Sequence, residues 1–82
     1  MFNIGDMVEV ISYTDKHYEW NHDSSINSLK RDLIGKQGII RFVASPYDKY
    51  FIVDFDNLNW AFHEDDLKFI MSASKDWITE GF

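Results

Sequence analysis

Residues 33–70 decide the fold of this chain, and they run LIGKQGIIRFVASPYDKYFIVDFDNLNWAFHEDDLKFI. Residues 38–43 are apolar and rich in β-branched side chains, which favour a pleated strand over a helix. In residues 50–56, Phe51, Val53 and Phe55 share one face at the spacing of a strand, and the other face carries Tyr50, Ile52, Asp54 and Asp56. We therefore predict two strands here, with these three side chains directed into the core and the carboxylates of the other face directed to solvent.

Turn signals divide the rest of the stretch into short segments. Residues 44–48 contain the only proline of the chain beside serine and aspartate, a combination that favours a turn. Residues 57–59 are a second turn signal, and a short strand carrying Trp60 and Phe62 on one face follows. Residues 63–67 are too short and acidic for a strand, so we predict one helical turn before a last strand at residues 68–70.

The N-terminal part predicts one more strand, over residues 7–13, with Val8 and Val10 inward. Residues 14–34 follow as an insertion that is too long for a structureless loop in a compact domain. Within it, Ile26, Leu29 and Leu33 recur at the spacing of one helix face. We predict a helix over residues 25–33, capped by a serine at position 24 or 25, with this apolar face on the sheet.

Four short motifs in this order resemble the small SH3-like barrels of the KOW-related type. They are Gly5-Asp6-x-Val8-x-Val10, Gly35-x-x-Gly38-x-Ile40, Tyr50-x-x-Val53-x-Phe55-Asp56 and Phe62-x-x-Asp65-x-Leu67. The resemblance implies a mainly β fold in which residues 1–70 form a small barrel of about five strands, with the helix inserted in its first long loop. Such barrels host many unrelated binding roles, so the resemblance implies a fold rather than a function.

The remaining residues, 71–82, carry Trp77, Ile78 and Phe82 and are unlike a disordered tail in composition. The pattern suits a short C-terminal helix, capped by a serine and ended by Gly81. We expect this segment either to dock on its own barrel or to bind a partner.

Length, charge and amino-acid composition limit the classes of protein to which this chain can belong. The chain has 82 residues, which corresponds to one domain, and a net charge of −6 from eight basic and fourteen acidic side chains. This charge does not favour non-specific binding to polyanions. The chain has no cysteine, and no apolar run approaches the ~20 residues of a membrane span. We expect a cytoplasmic protein, a monomer or weak homo-oligomer, with no signal peptide and no membrane partner.

No motif predicts catalysis, a cofactor or a metal. The loop residues His17, Glu19, His22 and Asp23 match no strong zinc spacing. Asp54 and Asp56 could form an acid–base pair, but a small barrel offers no deep cleft in which to shift their pKa values. His63 precedes three acidic residues that suit a charged helical turn. We expect a non-enzyme with no catalytic residue, no cofactor and no metal site.

Aromatic side chains on the predicted loops form the best candidate site. Tyrosine and tryptophan combine a large apolar area with a polar tip and are enriched at interfaces. The resemblance implies that the first long loop and the later turns meet at one rim, although Trp20 and Trp60 could simply pin the insertion to the barrel. We predict a partner-binding surface composed of Tyr18, Trp20, Tyr47, Tyr50, Asp54, Asp56, Glu64, Asp65 and Asp66.

Two kinds of partner follow from these residues. The first hypothesis is a protein-binding module, a small acidic inhibitor or regulator that occupies a basic surface of a target protein, as accessory proteins of bacteria and phages do. The alternative is a KOW-like module associated with RNA or DNA, in which the cations contact phosphates. Its site would be Lys30, Arg31, Lys36 and Arg41. A third, weaker hypothesis is a structural subunit whose C-terminal tail swaps onto a neighbour.

Overall fold

The computed structural model describes residues 2–56 and 58–72. Its five antiparallel strands form one sheet: β1 Asp6–Val10, β2 Gln37–Ser45, β3 Tyr50–Phe55, β4 Leu58–His63 and β5 Leu67–Ser72. A 3-10 turn, Asp15–His17, and one helix, α1 Ser24–Arg31, lie between β1 and β2, and a second 3-10 turn, Glu64–Asp66, joins β4 to β5. The predicted mainly β class, with a helix in the first long connection, is confirmed.

The strands lie in the order β4-β3-β2-β1-β5, so the first and last strands are neighbours. β1 pairs with β5 through Val10 opposite Leu67, and β3 pairs with β4 through Phe51 opposite Phe62. Each pair places two large apolar side chains side by side, which stabilises the register of an antiparallel sheet. This order also carries the second 3-10 turn to the end of β1, where the long insertion begins.

One hydrophobic core lies on the inner face of the sheet. Alternate residues of β1 and β3 are buried, as the period-two pattern predicted. The buried apolar set is Val8, Val10, Tyr18, Ile40, Phe51, Val53, Phe55, Phe62 and Leu67. Eight of the nine come from strands, and the ninth, Tyr18, enters the core from the insertion.

Several predicted boundaries were wrong by a few residues. β1 ends at Val10 rather than at residue 13, because the chain then leaves the sheet to begin the insertion. β4 begins at Leu58, which pairs with Phe55 although we expected a turn there. β5 extends to Ser72, and the predicted C-terminal helix lies outside the described residues.

The helix prediction was right in place and wrong in its cap, its end and the position of Leu29 on its buried face. Asp23, rather than a serine, caps the N-terminus by accepting hydrogen bonds from the backbone N–H groups of Ser25 and Ile26. The helix ends at Arg31, two residues before Leu33. Leu29 is 53% exposed, whereas Lys30 is 2% exposed and is the buried residue of α1. No helix in the described part of the chain is long and apolar enough to cross a membrane.

Candidate functional site

The buried carboxylate of Asp66 fastens the insertion to the sheet. It lies in the second 3-10 turn and is fully buried. Its oxygens accept hydrogen bonds from the hydroxyls of Ser12 (2.6 Å), Thr14 (2.7 Å) and Tyr18 (2.8 Å), and from the backbone N–H of Thr14 (3.1 Å). Burial by itself raises the pKa of Asp66, but these hydrogen bonds outweigh that effect and lower the pKa below its usual value.

Tyr18 continues this network into the core. Its hydroxyl donates to Asp66 and accepts a hydrogen bond from the backbone N–H of His63 at 2.8 Å. Desolvation, the largest effect, raises the pKa of Tyr18 well above its usual value. The ring stacks face to face on Tyr13 with centroids 4.1 Å apart, and Phe62 packs edge-on against both rings. The insertion therefore delivers two tyrosine rings to the inner end of β4.

The ammonium of Lys30 lies among four aromatic rings. Its Nζ is 4.4 Å from the ring centroid of Tyr18, 5.2 Å from Phe62, 5.4 Å from Trp20 and 5.6 Å from Tyr13. All four distances fall within the range of a cation–π contact, about 6 Å. We call these four rings the aromatic cage. Three of its walls come from the insertion and one comes from β4, so the cage exists only in the folded chain.

The surroundings of Lys30 disfavour the charged form of its side chain. Desolvation lowers the pKa of its ammonium to about 8, and the nearby charge of Asp66 offsets only part of that effect. No salt bridge joins its Nζ to any residue in the described ranges. The charge is therefore held by ring faces and by the more distant carboxylate, both weaker than a direct ion pair.

We expect Lys30→Met to remove a pH dependence of stability. Folded Lys30 releases its proton near pH 8 and unfolded lysine near 10.5, so the wild type gains stability as pH rises between these values. This gain is on the order of 2 kcal/mol. The variant keeps an apolar chain of similar length, lacks the gain, and is at least as stable as the wild type at pH 7. Urea denaturation of both proteins at pH 7 and pH 10 measures the difference directly. Equal pH dependence in both proteins would contradict the assignment, and Lys36→Met is the matched control at an exposed lysine.

Trp20 is the exposed wall of the cage. Its side chain is 58% exposed, but its indole N–H donates to the backbone carbonyl of His17 at 2.9 Å. Its ring packs edge-on against Tyr50 with centroids 6.1 Å apart, and the Tyr50 hydroxyl donates to the same carbonyl. An exposed tryptophan is thus held in one orientation before any partner arrives.

A cavity of about 200 Å³ opens beside the cage. Its walls are the outer side of the two stacked tyrosines and a ring of polar side chains, and they comprise Tyr13, Asp15, Tyr18, Glu19, Asn21, Asn27 and Arg31. Arg31 donates to Asp15 at 2.8 Å across this opening. The cavity is smaller than the roughly 300–1,000 Å³ of sites for drug-sized ligands, and its size suits a single side chain.

Two histidines meet at the same end of the sheet. The rings of His17 and His63 stack in parallel with centroids 3.6 Å apart, and Asp65 lies within hydrogen-bonding distance of His17, 3.1 Å. These three side chains bring potential metal-ligand atoms within 4.8 Å of one another. Their geometry does not suit a shared ion, because a histidine binds metal in the plane of its ring and these planes are parallel. His63 Nδ1 also accepts a hydrogen bond from the backbone N–H of Asp65 at 3.0 Å.

The structure brings together part of the predicted partner-binding surface. Trp20, Tyr50 and Asp65 lie around the insertion and the end of β4. Tyr18 and Asp66 lie there too, but both are buried, and they hold the insertion in place instead of facing a partner. This corrects their predicted position.

The other predicted residues lie elsewhere on the sheet. Tyr47 is 96% exposed at the β2–β3 turn, and Glu64 lies 3.9 Å from Lys49 near that turn. Asp54 receives two hydrogen bonds from Arg41, and Asp56 lines a second cavity of about 190 Å³. None of these four belongs to the aromatic cage.

The four cations proposed for nucleic-acid binding do not form one surface. Lys30 is buried in the aromatic cage. Arg31 is paired with Asp15 and Arg41 with Asp54, each at 2.8 Å, and Lys36 is exposed beside the second cavity. A groove for a phosphate backbone needs several free cations in line.

The helix face on which Lys30 lies could have been found from its spacing, although its burial depends on rings from other parts of the chain. Lys30 follows Ile26 by four residues and precedes Leu33 by three, so it lies between them on the same helix face. We assigned that face by hydrophobicity and placed Leu29 on it. No sequence signal pairs His17 with His63, since the contact spans two separate elements.

Comparisons with protein-family models, with curated proteins and with solved structures found no match to this chain.

Proposed function

We propose that this chain is a non-enzymatic protein-binding module that engages a basic segment of a target protein. The observation that carries the proposal is the fixed, exposed ring of Trp20 beside a group of carboxylates. Exposed aromatic rings that are already held in place lose little entropy on binding, and tryptophan is enriched among the residues that dominate interface energies. The surface around this ring is what we call the Trp20 surface, and it consists of Asp15, Glu19, Trp20, Tyr50 and Asp65.

The charges of this surface favour a cationic partner. Asp15, Glu19 and Asp65 are exposed, and the chain as a whole carries a net charge of −6. Charge of one sign steers an oppositely charged partner and raises its association rate. A small acidic inhibitor or regulator that occupies a basic surface of its target fits this arrangement.

Trp20→Ala is expected to weaken binding of the target by about 2 kcal/mol or more while the sheet stays folded. The target would first be captured from lysate of the source cell on the immobilised protein, with nuclease present, and its affinity then measured by titration calorimetry. Phe42→Ala removes another exposed ring, on β2, and serves as the matched control. Charge reversal by Asp65→Lys should weaken binding most at low salt. A target that binds a folded Trp20→Ala variant with wild-type affinity would reject this surface.

The resemblance to SH3-like barrels of the KOW-related type belongs with this proposal. Five antiparallel strands with a helix in the first long connection are the observations that support it. The associated alternative, an RNA- or DNA-binding module, would use Lys30, Arg31, Lys36 and Arg41, whose burial and ion pairs do not favour it. The same capture experiment separates the two, because a signal that disappears on nuclease treatment would support the nucleic-acid alternative.

A further inference from the structure

We propose that the aromatic cage is a recognition site for an alkylammonium group, and that Lys30 is an internal occupant which a ligand's cation displaces. The inference rests on the proposed function for the source of that cation, since a basic protein segment offers lysine side chains. Beyond the proposed function, the inference names the chemical group that is recognised, an alkylammonium. It also names the contact that must be released first, that of Lys30 with the aromatic cage.

The cage has the composition of a cation receptor. Four aromatic rings lie with their centroids 4.4–5.6 Å from one ammonium, and they belong to two tyrosines, one tryptophan and one phenylalanine. Cages of this kind recognise methylated and quaternary ammonium groups, which bind through charge and apolar surface and need few hydrogen bonds. A primary ammonium such as that of Lys30 loses more hydration in the same place, which agrees with the lowering of its pKa by desolvation.

Three of the four walls keep their places without Lys30. The Tyr18 ring is held through its hydroxyl by Asp66 and by the backbone N–H of His63. The Trp20 ring is held by the His17 carbonyl, and Phe62 is fixed in β4 opposite Phe51. Tyr13 is the exception, because its hydroxyl donates to Asn27 of α1. Removal of the lysine side chain therefore leaves a largely formed receptor.

The helix that delivers Lys30 is weakly fastened. Lys30 is the buried residue of α1, while Leu29 is largely exposed. The other attachments of the helix are the hydrogen bonds of Asn27, the exposed ion pair of Arg31 with Asp15 and the half-buried side chain of Ile26. Withdrawal of this helix exposes no fully buried apolar side chain, so a competing cation has limited hydrophobic burial to replace.

A route to the cage is present on its outer side. Trp20 forms a wall that solvent reaches, and the neighbouring cavity of about 200 Å³ is lined by Tyr13 and Tyr18. Glu19 stands at this cavity and attracts a cation to it, whereas Asp15 there is paired with Arg31 at 2.8 Å. An alkylammonium chain entering here meets the Glu19 carboxylate first, and it must displace Arg31 from the face of Tyr13, 5.1 Å away, to reach the stacked rings.

The test uses Lys30→Ala, which empties the cage, and Lys30→Met, which keeps it filled. Thermal unfolding is measured with tetramethylammonium chloride or n-butylammonium chloride, against sodium chloride at the same ionic strength. We expect both organic cations to raise the Tm of Lys30→Ala by several degrees, and to leave Lys30→Met unchanged. Titration followed by tryptophan fluorescence should give Lys30→Ala an affinity about tenfold or more above that of the wild type.

Each result bears on the proposal. If Lys30→Ala is unfolded in sodium chloride, the expected result is recovery of its far-ultraviolet circular dichroism on addition of the organic cations. A Lys30→Ala variant that shows neither cation-specific stabilisation nor recovery overturns the proposal, as does an equal response of Lys30→Met. Adding Trp20→Ala to the Lys30→Ala variant should abolish the response, because it removes the outer wall.

Two further measurements are needed. One identifies whether the cation comes from a protein or from a small molecule, and the other tests the cage and the proposed function separately. Peptides containing lysine or trimethyllysine are compared with choline on the Lys30→Ala variant, and preference for a peptide assigns the group to a protein. Cation binding without any Trp20-dependent protein target would keep the cage and reject the proposed function. A Trp20-dependent target that binds Lys30→Ala and Lys30→Met equally well would keep the function and reject the cage.

Discussion

Replacing Asp66 with alanine is expected to lower the free energy of unfolding by about 3–5 kcal/mol. The substitution leaves three hydroxyls and one backbone N–H without the buried acceptor that they share. Each unsatisfied buried polar group costs about 1–3 kcal/mol, although water entering the new space recovers part of that cost. A domain of this size has a total stability of about 5–15 kcal/mol, so the loss is a large fraction of it.

Urea denaturation followed by circular dichroism measures this loss. Asp65→Ala is the matched control, since it removes the neighbouring carboxylate, which is exposed and lies outside the Asp66 network. We expect the control to change stability by less than about 1 kcal/mol. If Asp65→Ala and Asp66→Ala lost similar amounts of stability, the insertion would not depend on the buried carboxylate.

The same carboxylate should contribute to acid denaturation. Its pKa is lower in the folded chain than its unfolded value of 3.8, so its contribution to stability is fully present above that value. As pH falls below 3.8 the unfolded chain takes up the proton first, and the contribution is lost. Asp66→Asn should therefore reduce the dependence of stability on pH between about 5 and 2. Measuring the unfolding midpoint of both proteins across this range provides the comparison.

Gly38→Ala is the second substitution with a large expected effect, a loss of about 3 kcal/mol or more. A Cβ at this position would lie 2.7 Å from the backbone oxygen of Asp54, 2.7 Å from Val53 Cγ1 and 2.9 Å from Phe55 Cδ1. The first of these atoms belongs to the neighbouring strand and cannot rotate away. The methyl group therefore forces β2 and β3 apart at the end of β3, beside the core side chains of Val53 and Phe55.

Gly35→Ala is the matched control for this substitution. Gly35 has a φ of 92°, which strains any other residue, but an added Cβ would meet no atom within 4 Å. Its expected cost is the backbone strain alone, about 1–2 kcal/mol. Thermal unfolding of both variants separates crowding from strain. A Gly38→Ala variant no less stable than Gly35→Ala would show that the two strands can separate at little cost.

Much of the fold could be predicted because its signals are local. Alternation in β3 assigned Phe51, Val53 and Phe55 to the core, since adjacent strand residues point to opposite faces whatever the sheet contains. The acidic helical turn before β5 was predicted for the same reason, from a short run of residues unsuited to a strand. Errors at the ends of β1 and β4 arose where pairing partners, rather than local preference, determine how far a strand continues.

The candidate site was predicted less completely because its contacts join distant parts of the chain. Trp20 and Tyr50 were recognised as aromatic residues near loops, and they do meet. Tyr18 and Asp66 were assigned to the surface because a hydroxyl and a carboxylate usually lie there, yet they hydrogen-bond each other in the interior. Their burial is stable because every oxygen of the carboxylate finds donors, a condition that depends on the insertion folding back over the sheet.

By itself, the sequence determined the strands, the turns between them, the helix in the first long connection and the inward side of β1 and β3. These follow from side-chain period, turn chemistry and helix spacing, which act over a few residues. Tertiary structure alone decided that Lys30 would be the buried residue of α1, because four rings from the insertion and β4 surround its ammonium. A cation is buried only where other parts of the chain supply its partners, and the local sequence does not show which partners will arrive.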